Sequence, residues 1–276
     1  MKPLMLVSEV ELAWGFSVRY AGASAAQPAL PIPPPTTIVG FYAEPLARLL
    51  DLPEYRGPKK TPCSPAALLA EHTLAASAGL SPDSKTGLVV HSDLSHVVTL
   101  PYQRKRKNEW EKFAFAAQAV GAAYGPAARL YLALVVDIEG FARMLGDRPE
   151  TVAGMLAWSG WRLGSKECLV SVVRAEALEP EAPVKGVFET TLYQEGSLAE
   201  PISRIELVEK VHMWKLEPRL FCGETFIPNY VTYHLPAAAS STPSILLPLR
   251  GELPGFGARS RVYCHPSRPL CIAARR

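Results

Sequence analysis

The sequence has no apolar run of membrane length. LYLALVV at 130–136 falls far short of the roughly 20 residues a spanning helix needs, and the apolar start PLMLV is too short for a signal-peptide core. Neither a membrane span nor export is expected, and the expected location is the cytoplasm. There is also no C-x-x-C pair. The cysteines Cys63, Cys168, Cys222, Cys264 and Cys271 form an odd set that fits neither a disulfide framework nor a common zinc site, so reduced thiols are expected. No excess of one charge sign exists either: the net charge is +3, which leaves the question of a nucleic-acid partner to local clustering. Finally, G-x-x-x-x-G-K-[ST], G-x-G-x-x-G after a strand, H-E-x-x-H and G-x-S-x-G are all missing, which removes the motifs of nucleotide cradling, zinc proteolysis and acyl transfer. No cofactor or metal is expected.

What is present is enough to fold. The chain has 276 residues, 48% of them hydrophobic, a length compatible with one elaborated domain or two small ones. From Leu4 to Tyr20 the even positions are apolar or aromatic with one exception, Ser8, which predicts a half-buried strand. Its length exceeds a typical strand about threefold, so a bend or bulge is expected, with Gly15 the natural place. LPIPPPTTIVGFYAEPLARLL at 30–50 then places Ile38, Phe41, Tyr42, Leu46, Leu49 and Leu50 on one helical face, interrupted by Pro45, which predicts a kink or a restart there. Prolines 33–35 favour a stiff polyproline II entry, and Thr36 or Thr37 is the expected cap of the helix.

Residues 51–86, rich in Pro, Gly and Ser, read as an insertion containing a short helix capped by Ser64 and opened by Pro65. A strand is expected over Gly87–Leu100, then helical spacing of Trp110, Phe113, Ala117, Val120 and Tyr124, then a buried central strand at RLYLALVVDI. Glu139–Trp158 reads as helix broken near Pro149, and Glu167–Ala177 as strand. The order β-α-β-β-α-β implies an α+β fold of the ferredoxin-like, RRM-like plan. It would occupy residues 1–180, with insertions at about 51–86 and a thumb-like one at about 88–128. Residues 181–276, with GVFETTLYQ, RIELVEKVHMW, TFIPNYVTYHL and SILLPL between turn signals, read as a β-rich portion packed on it.

The densest charge, Arg104, Lys105, Arg106 and Lys107, lies between Tyr102 and Trp110, which suits phosphate contact with bases stacked on the rings; a solvated loop is the plain alternative. The first turn of the helix after the prolines, with its N–H donors and dipole, is a second candidate phosphate contact through Thr36 and Thr37. GELPGFG at 251–257 reads as a turn between edge strands before a phosphate loop, and Cys264, His265 and Cys271 of CHPSRPLC lack zinc-knuckle spacing. His91 and His96, five apart on one strand, face opposite sides unless a bulge intervenes.

The strand ending in WGFSVRY, followed by PIPPPTTIVG leading into the first helix, resembles the fifth Cas protein family of the RAMP superfamily, found in type I CRISPR surveillance complexes. The archaeal I-A subtype is one option within it. WRLGSKECLV at 161–170 is similar to the family's Leu-Gly-Arg-x-Glu element, with Ser165 in place of Arg and Lys166 beside it. The resemblance implies a non-catalytic CRISPR RNA-binding subunit of Cascade that holds the 5′ handle, touches a backbone subunit through its thumb and adjoins the large subunit. Arg19, Tyr20 and Lys166 then join Thr36, Thr37, Tyr102 and Arg104–Lys107 as expected RNA contacts. The alternative is a metal-independent endoribonuclease acting on precursor CRISPR RNA, with His91, His96 or His212 carrying protons and Lys105 or Lys166 steadying phosphate charge. A third possibility is a purely structural partner docking through Trp158 and Trp161.

Overall fold

The computed structural model describes residues 2–18, 29–58, 61–98, 116–145, 148–165, 167–183, 186–223, 229–241 and 244–275. Strand β1 (Pro3–Leu12) forms where expected but is buried on both faces from Leu4 to Val10 rather than half-buried, because each side of its sheet is covered, and the chain then breaks before the two-residue strand β2 (Gly15–Phe16). Gly15 has φ +152°, and a Cβ there would collide with the carbonyl oxygen of Ala123, so only glycine allows the turn from one sheet into another. After the proline entry, helix α1 (Pro35–Leu49) runs unbroken through a buried Pro45. Its N-cap is Pro34 with no side-chain cap bond, so Thr36 and Thr37 lie inside the first turn and neither caps the helix.

Helix α2 (Ala66–Glu71) is likewise entered at Pro65 without a side-chain cap; Ser64 contributes only its carbonyl, which accepts the Ala67 N–H at 3.0 Å. Next comes strand β3 (Thr73–Leu80), in a stretch that composition assigned to a loop-rich insertion. Its run TLAASAGL is too small-sided to announce itself by period, yet it hydrogen-bonds along the central strand. Strands β4 (Leu88–Val98) and β5 (Ala116–Tyr124) pair antiparallel. The helix expected from the spacing of Ala117, Val120 and Tyr124 is therefore a strand at those positions: alanine tolerates either state, and pairing with β4 decides.

Strand β6 (Arg129–Asp137) is the continuous apolar run, and α3 (Ile138–Leu145) and α4 (Pro149–Ser159) are separated where Pro149 opens the second helix. Strand β7 (Val170–Leu178) completes a four-stranded antiparallel sheet of order β3-β6-β1-β7. The remaining chain forms short strands: β8 (Val187–Glu189), β9 (Gln194–Glu195), β10 (Ala199–Ser203), β11 (Val208–Trp214), β12 (Tyr230–Pro236), β13 (Ala238–Ser241), β14 (Ser244–Leu247), β15 (Gly255–Ala258), β16 (Arg261–Cys264) and β17 (Cys271–Ala274). GELPGFG is not only a turn, since β15 is the middle strand of the sheet β10-β15-β8. Strands β13 and β14 extend the β4–β5 pair into a five-stranded sheet that ends at β2. The architecture is thus mixed helix and strand with several antiparallel sheets.

Both faces of the four-stranded sheet are covered, which is why β6 reads as an unbroken apolar run. Leu6, Val10, Leu130, Leu132 and Leu134 pack toward α1 and α4, while Met5, Val7, Ala133 and Val135 pack under Tyr263, Leu270 and Ile272 of the β16–β17 hairpin. Tyr42 of α1 is fully buried; its hydroxyl donates to the Leu132 carbonyl at 2.9 Å and lies 3.0 Å from Ser8 Oγ, which in turn donates to the Ala157 carbonyl at 2.6 Å. Burial pushes the Tyr42 phenol far above its ordinary range, so it remains a neutral donor. Ser8, the exception in the β1 alternation, is therefore the partner of a buried tyrosine.

The cysteines differ from expectation. Cys63 bonds Cys222 and Cys264 bonds Cys271, leaving Cys168 as the buried free thiol. Neither pairing is visible in spacing: one closes a hairpin across seven residues and the other joins segments 159 residues apart. No helix among the described residues is long and apolar enough to cross a membrane.

Candidate nucleic-acid interface

Three stretches far apart in sequence meet at one end of the sheet. The first is the strand end at 14–18, the second the proline entry and first turn of α1 at 30–37, the third the turn at 161–169. Trp14 Nε1 donates to the Glu167 carbonyl at 2.7 Å, and Ala13 N–H donates to the Leu169 carbonyl at 3.1 Å. Ser17 N–H points to Cys168 Sγ at 3.1 Å, and the Ser165 hydroxyl lies 3.0 Å from the same sulfur. Leu30 N–H donates to the Val18 carbonyl at 2.8 Å, tying the proline segment to the same strand end. Gly164 closes the junction: with φ +92°, it lets the turn approach to where a Cβ would sit 2.9 Å from the Ser17 carbonyl oxygen.

On the outer side, Trp161 stands 38% exposed between two arginines, with Arg162 at 5.2 Å and Arg48 at 5.8 Å from its ring centre. Its Nε1 donates to Glu44 at 3.1 Å, and Glu44 also holds Arg48 at 2.5 Å. Arg48 is thus neutralised by its own helix, whereas Arg162 forms no ion pair among the described residues. A cavity of about 200 Å³ opens here, lined by Thr37, Phe41, Glu44, Trp161, Arg162 and Gly164 among others. It combines an aromatic wall, an unneutralised guanidinium and a threonine of the helix first turn.

Of the residues that the sequence singles out, Thr36 and Thr37 are described, half-buried at the start of α1, and Thr37 faces the cavity. The helix start offers fewer donors than an ordinary one. Pro34 and Pro35 have no N–H, and Thr37 N–H already bonds the Pro34 carbonyl at 2.9 Å, so in this first turn only Thr36 keeps an N–H without an intrahelical acceptor. Arg19, Tyr20, Tyr102, Arg104, Lys105, Arg106, Lys107 and Lys166 lie outside the described residues. In the 161–170 element the sequence reading selects Lys166 and passes over Arg162. The signal for Arg162 was its position directly after an aromatic in a stretch already picked out.

The histidines are dispersed. His91 is exposed on β4, 6.5 Å ring to ring from Tyr124; His212 on β11 lies 3.2 Å from the Thr232 hydroxyl. The β4–β5 register shifts between Asp93 and His96, so the regular pairing that the spacing argument for His91 and His96 assumes is interrupted there. Among the described residues no cluster of three or more His, Cys, Asp or Glu could hold a metal.

The sheet face opposite the helices is not an open platform. Its apolar half lies under β16–β17, and its polar half is self-paired: Glu9 accepts from Ser81 Oγ at 2.8 Å, Arg129 Nε donates to Glu11 at 2.9 Å, and Glu176 pairs with Arg268 and with His265 Nε2 at 3.1 Å. His265 Nδ1 accepts the Ser267 N–H at 3.2 Å, which puts the ring proton on Nε2, toward Glu176. Burial pushes the Glu176 carboxyl up, but the His265 hydrogen bond and the Arg268 charge outweigh it and hold it below its ordinary value.

Comparison with known proteins places the chain among CRISPR-associated proteins. The family described as CRISPR-associated protein (Cas_Cas5) matches residues 5–242. The chain is 29% identical over 213 residues to "CRISPR system aCascade subunit Cas5 1" of Saccharolobus solfataricus, covering 76% of this chain and 80% of that one. It is 28% identical over 218 residues to "CRISPR-associated protein Cas5 3" of the same organism, with the same coverage of 76% and 80%. A CRISPR protein from Archaeoglobus fulgidus, known from its crystal structure, shares the fold at TM-score 0.56 and 18% identity over 99% of this chain and 100% of the other. With the family match spanning most of its length, the chain belongs to the Cas5 family of CRISPR-associated proteins.

Proposed function

We propose that this chain is a non-catalytic, CRISPR RNA-binding subunit of a Cascade-type complex, holding the 5′ handle at the end of the sheet where 14–18, 30–37 and 161–169 meet. The observation that carries the reading is the recess at this junction: the start of α1 and the turn at 161–164, far apart in sequence, enclose an aromatic and cationic cavity lined by Thr37, Trp161 and Arg162, and the strand end at 14–18 is bonded to the same turn. A relative named as an aCascade subunit supports the complex. The strand order β3-β6-β1-β7, all antiparallel, with α1 and α3–α4 as the two crossings, supports the ferredoxin-like plan, and β4–β5 is then its inserted thumb.

In this reading the covered, self-paired sheet face leaves RNA to the edge. Arg19, Tyr20 and Lys166 flank the described parts of the junction in sequence. Tyr102 and Arg104–Lys107 fall between β4 and β5 in sequence, and this reading counts them as RNA contacts of the thumb, which meets a backbone subunit, while the large subunit adjoins the handle. The test is RNA binding by the assembled complex at two salt concentrations, with a repeat-derived 5′ handle and with a scrambled one. A handle preference that persists at both, on top of a salt-dependent phosphate contribution, is the expected result. Equal binding of the two RNAs overturns the proposal, and a discrete cut of repeat RNA in chelator replaces it with the endoribonuclease.

A further inference from the structure

We propose that the Cys63–Cys222 disulfide is a redox-cleavable clamp on one wall of the groove beside α1, and that a dithiol reductant opens it while the Cys264–Cys271 bond stays closed. The two bonds sit in different surroundings. Cys264 and Cys271 are both buried on paired strands of the hairpin that covers the sheet. Cys63 and Cys222 are only half-buried, so a reductant reaches them first.

What the exposed bond holds is otherwise loosely held. Among the described residues none from Asp51 to Pro65 is fully buried, so none of them roots this linker in the core. Its own turn is closed by reciprocal bonds between Arg56 and Cys63 at 2.8 and 2.7 Å, which tie the linker only to itself. Its tether to the C-terminal portion is a short ladder, Ser64 N–H to the Phe221 carbonyl and Gly223 N–H to the Pro62 carbonyl, both 2.8 Å, with the disulfide between them. On the far side, Phe221 and Leu216 pack against the main core, so that side is the fixed one.

The linker is also a wall. Asp51, Leu52, Tyr55 and Ser64 line a cavity of about 550 Å³ against Ala47 and Arg162. That cavity shares Gly40, Glu44 and Arg162 with the recess beside Trp161, so one groove runs along α1. In the opening step a thiolate of the dithiol attacks one sulfur and forms a mixed disulfide. The reductant's second thiol then closes its own ring, and two electrons and two protons end on Cys63 and Cys222 as thiols. Only the two backbone hydrogen bonds of the ladder then hold the wall to the C-terminal side, with Asp51 and Leu52 N–H still bonded to the end of α1, and local opening follows between these two anchors.

The test uses the full chain purified without reductant and needs no RNA, so it fails or succeeds separately from the proposed function. The protein is titrated with dithiothreitol and alkylated, and the labelled cysteines are mapped, with amide exchange followed over 51–65 and over β6 as control. Cys63 and Cys222 are expected to alkylate at lower dithiol than Cys264 and Cys271. Exchange in 51–65 should accelerate by about tenfold or more while β6 is unchanged. The double substitution C63S/C222S should reproduce that exchange without reductant and respond no further. Alkylation of Cys63 and Cys222 with no reductant overturns the clamp, as does simultaneous opening of both disulfides or unchanged exchange in 51–65 after reduction.

Discussion

The two faces of the four-stranded sheet are built from the same strands and covered in opposite ways. One lies under α1 and α4, which bring large apolar side chains and the buried pair of Tyr42 and Ser8, whose hydroxyls donate to the Leu132 and Ala157 carbonyls. The other is roofed over only its first half, by a two-stranded hairpin closed by a disulfide, and is left with paired charges over the rest. The difference explains where function can sit. With one face under helices and the other divided between a hairpin and paired charges, the proposed RNA contact falls to the sheet end, where the turn at 161–164 and the first turn of α1 bring Trp161, Arg162 and Thr37 together.

The comparison breaks if the helix face is not the stronger core. Tyr42→Ala should cost about 4 kcal/mol in denaturant unfolding, from lost packing and the orphaned Ser8 and Leu132 groups, and Tyr42→Phe about 1 kcal/mol. On the opposite face Ile272→Ala should cost about 3 kcal/mol. A change below about 0.5 kcal/mol would mean that the hairpin is a loose cover rather than core.

The sheet end should separate from both faces. Arg162→Ala should leave the unfolding midpoint nearly unchanged, weaken handle RNA binding by the complex about tenfold and lower the salt slope by about 1. A loss of stability with unchanged RNA binding would return Arg162 to a packing role on Trp161. The smallest effect concerns the charged half of the second face. Because the folded-state value of Glu176 is depressed, its stabilising contribution is complete above the ordinary carboxylate value and fades as pH falls through the lower, folded one. Acid unfolding curves of the parent chain and of Glu176→Gln should therefore converge at low pH and diverge toward neutrality, and parallel curves would show that the His265–Glu176–Arg268 cluster is not coupled to folding.

Much of this was legible without coordinates. The strand at Leu4–Leu12, the departure at Gly15, the unbroken apolar run at Leu130–Val136, the break at Pro149 and a helix beginning at the proline run are all local: each follows from a side chain's own geometry and its neighbours within a few residues. What the tertiary structure decided is whatever depends on a partner far along the chain. Small residues in Thr73–Leu80 carry no periodic signal, and they form a strand because β6 offers an edge. Alanines at 116–124 suit a helix as well as a strand until β4 pairs with them. Cys63 finds Cys222 only once α2 and the 218–221 turn are packed together, and Arg162 becomes a binding candidate only when folding sets it over Trp161 beside the start of α1. Local sterics are written residue by residue, whereas pairing across a hundred residues or more is chosen by the free energy of the whole packed chain.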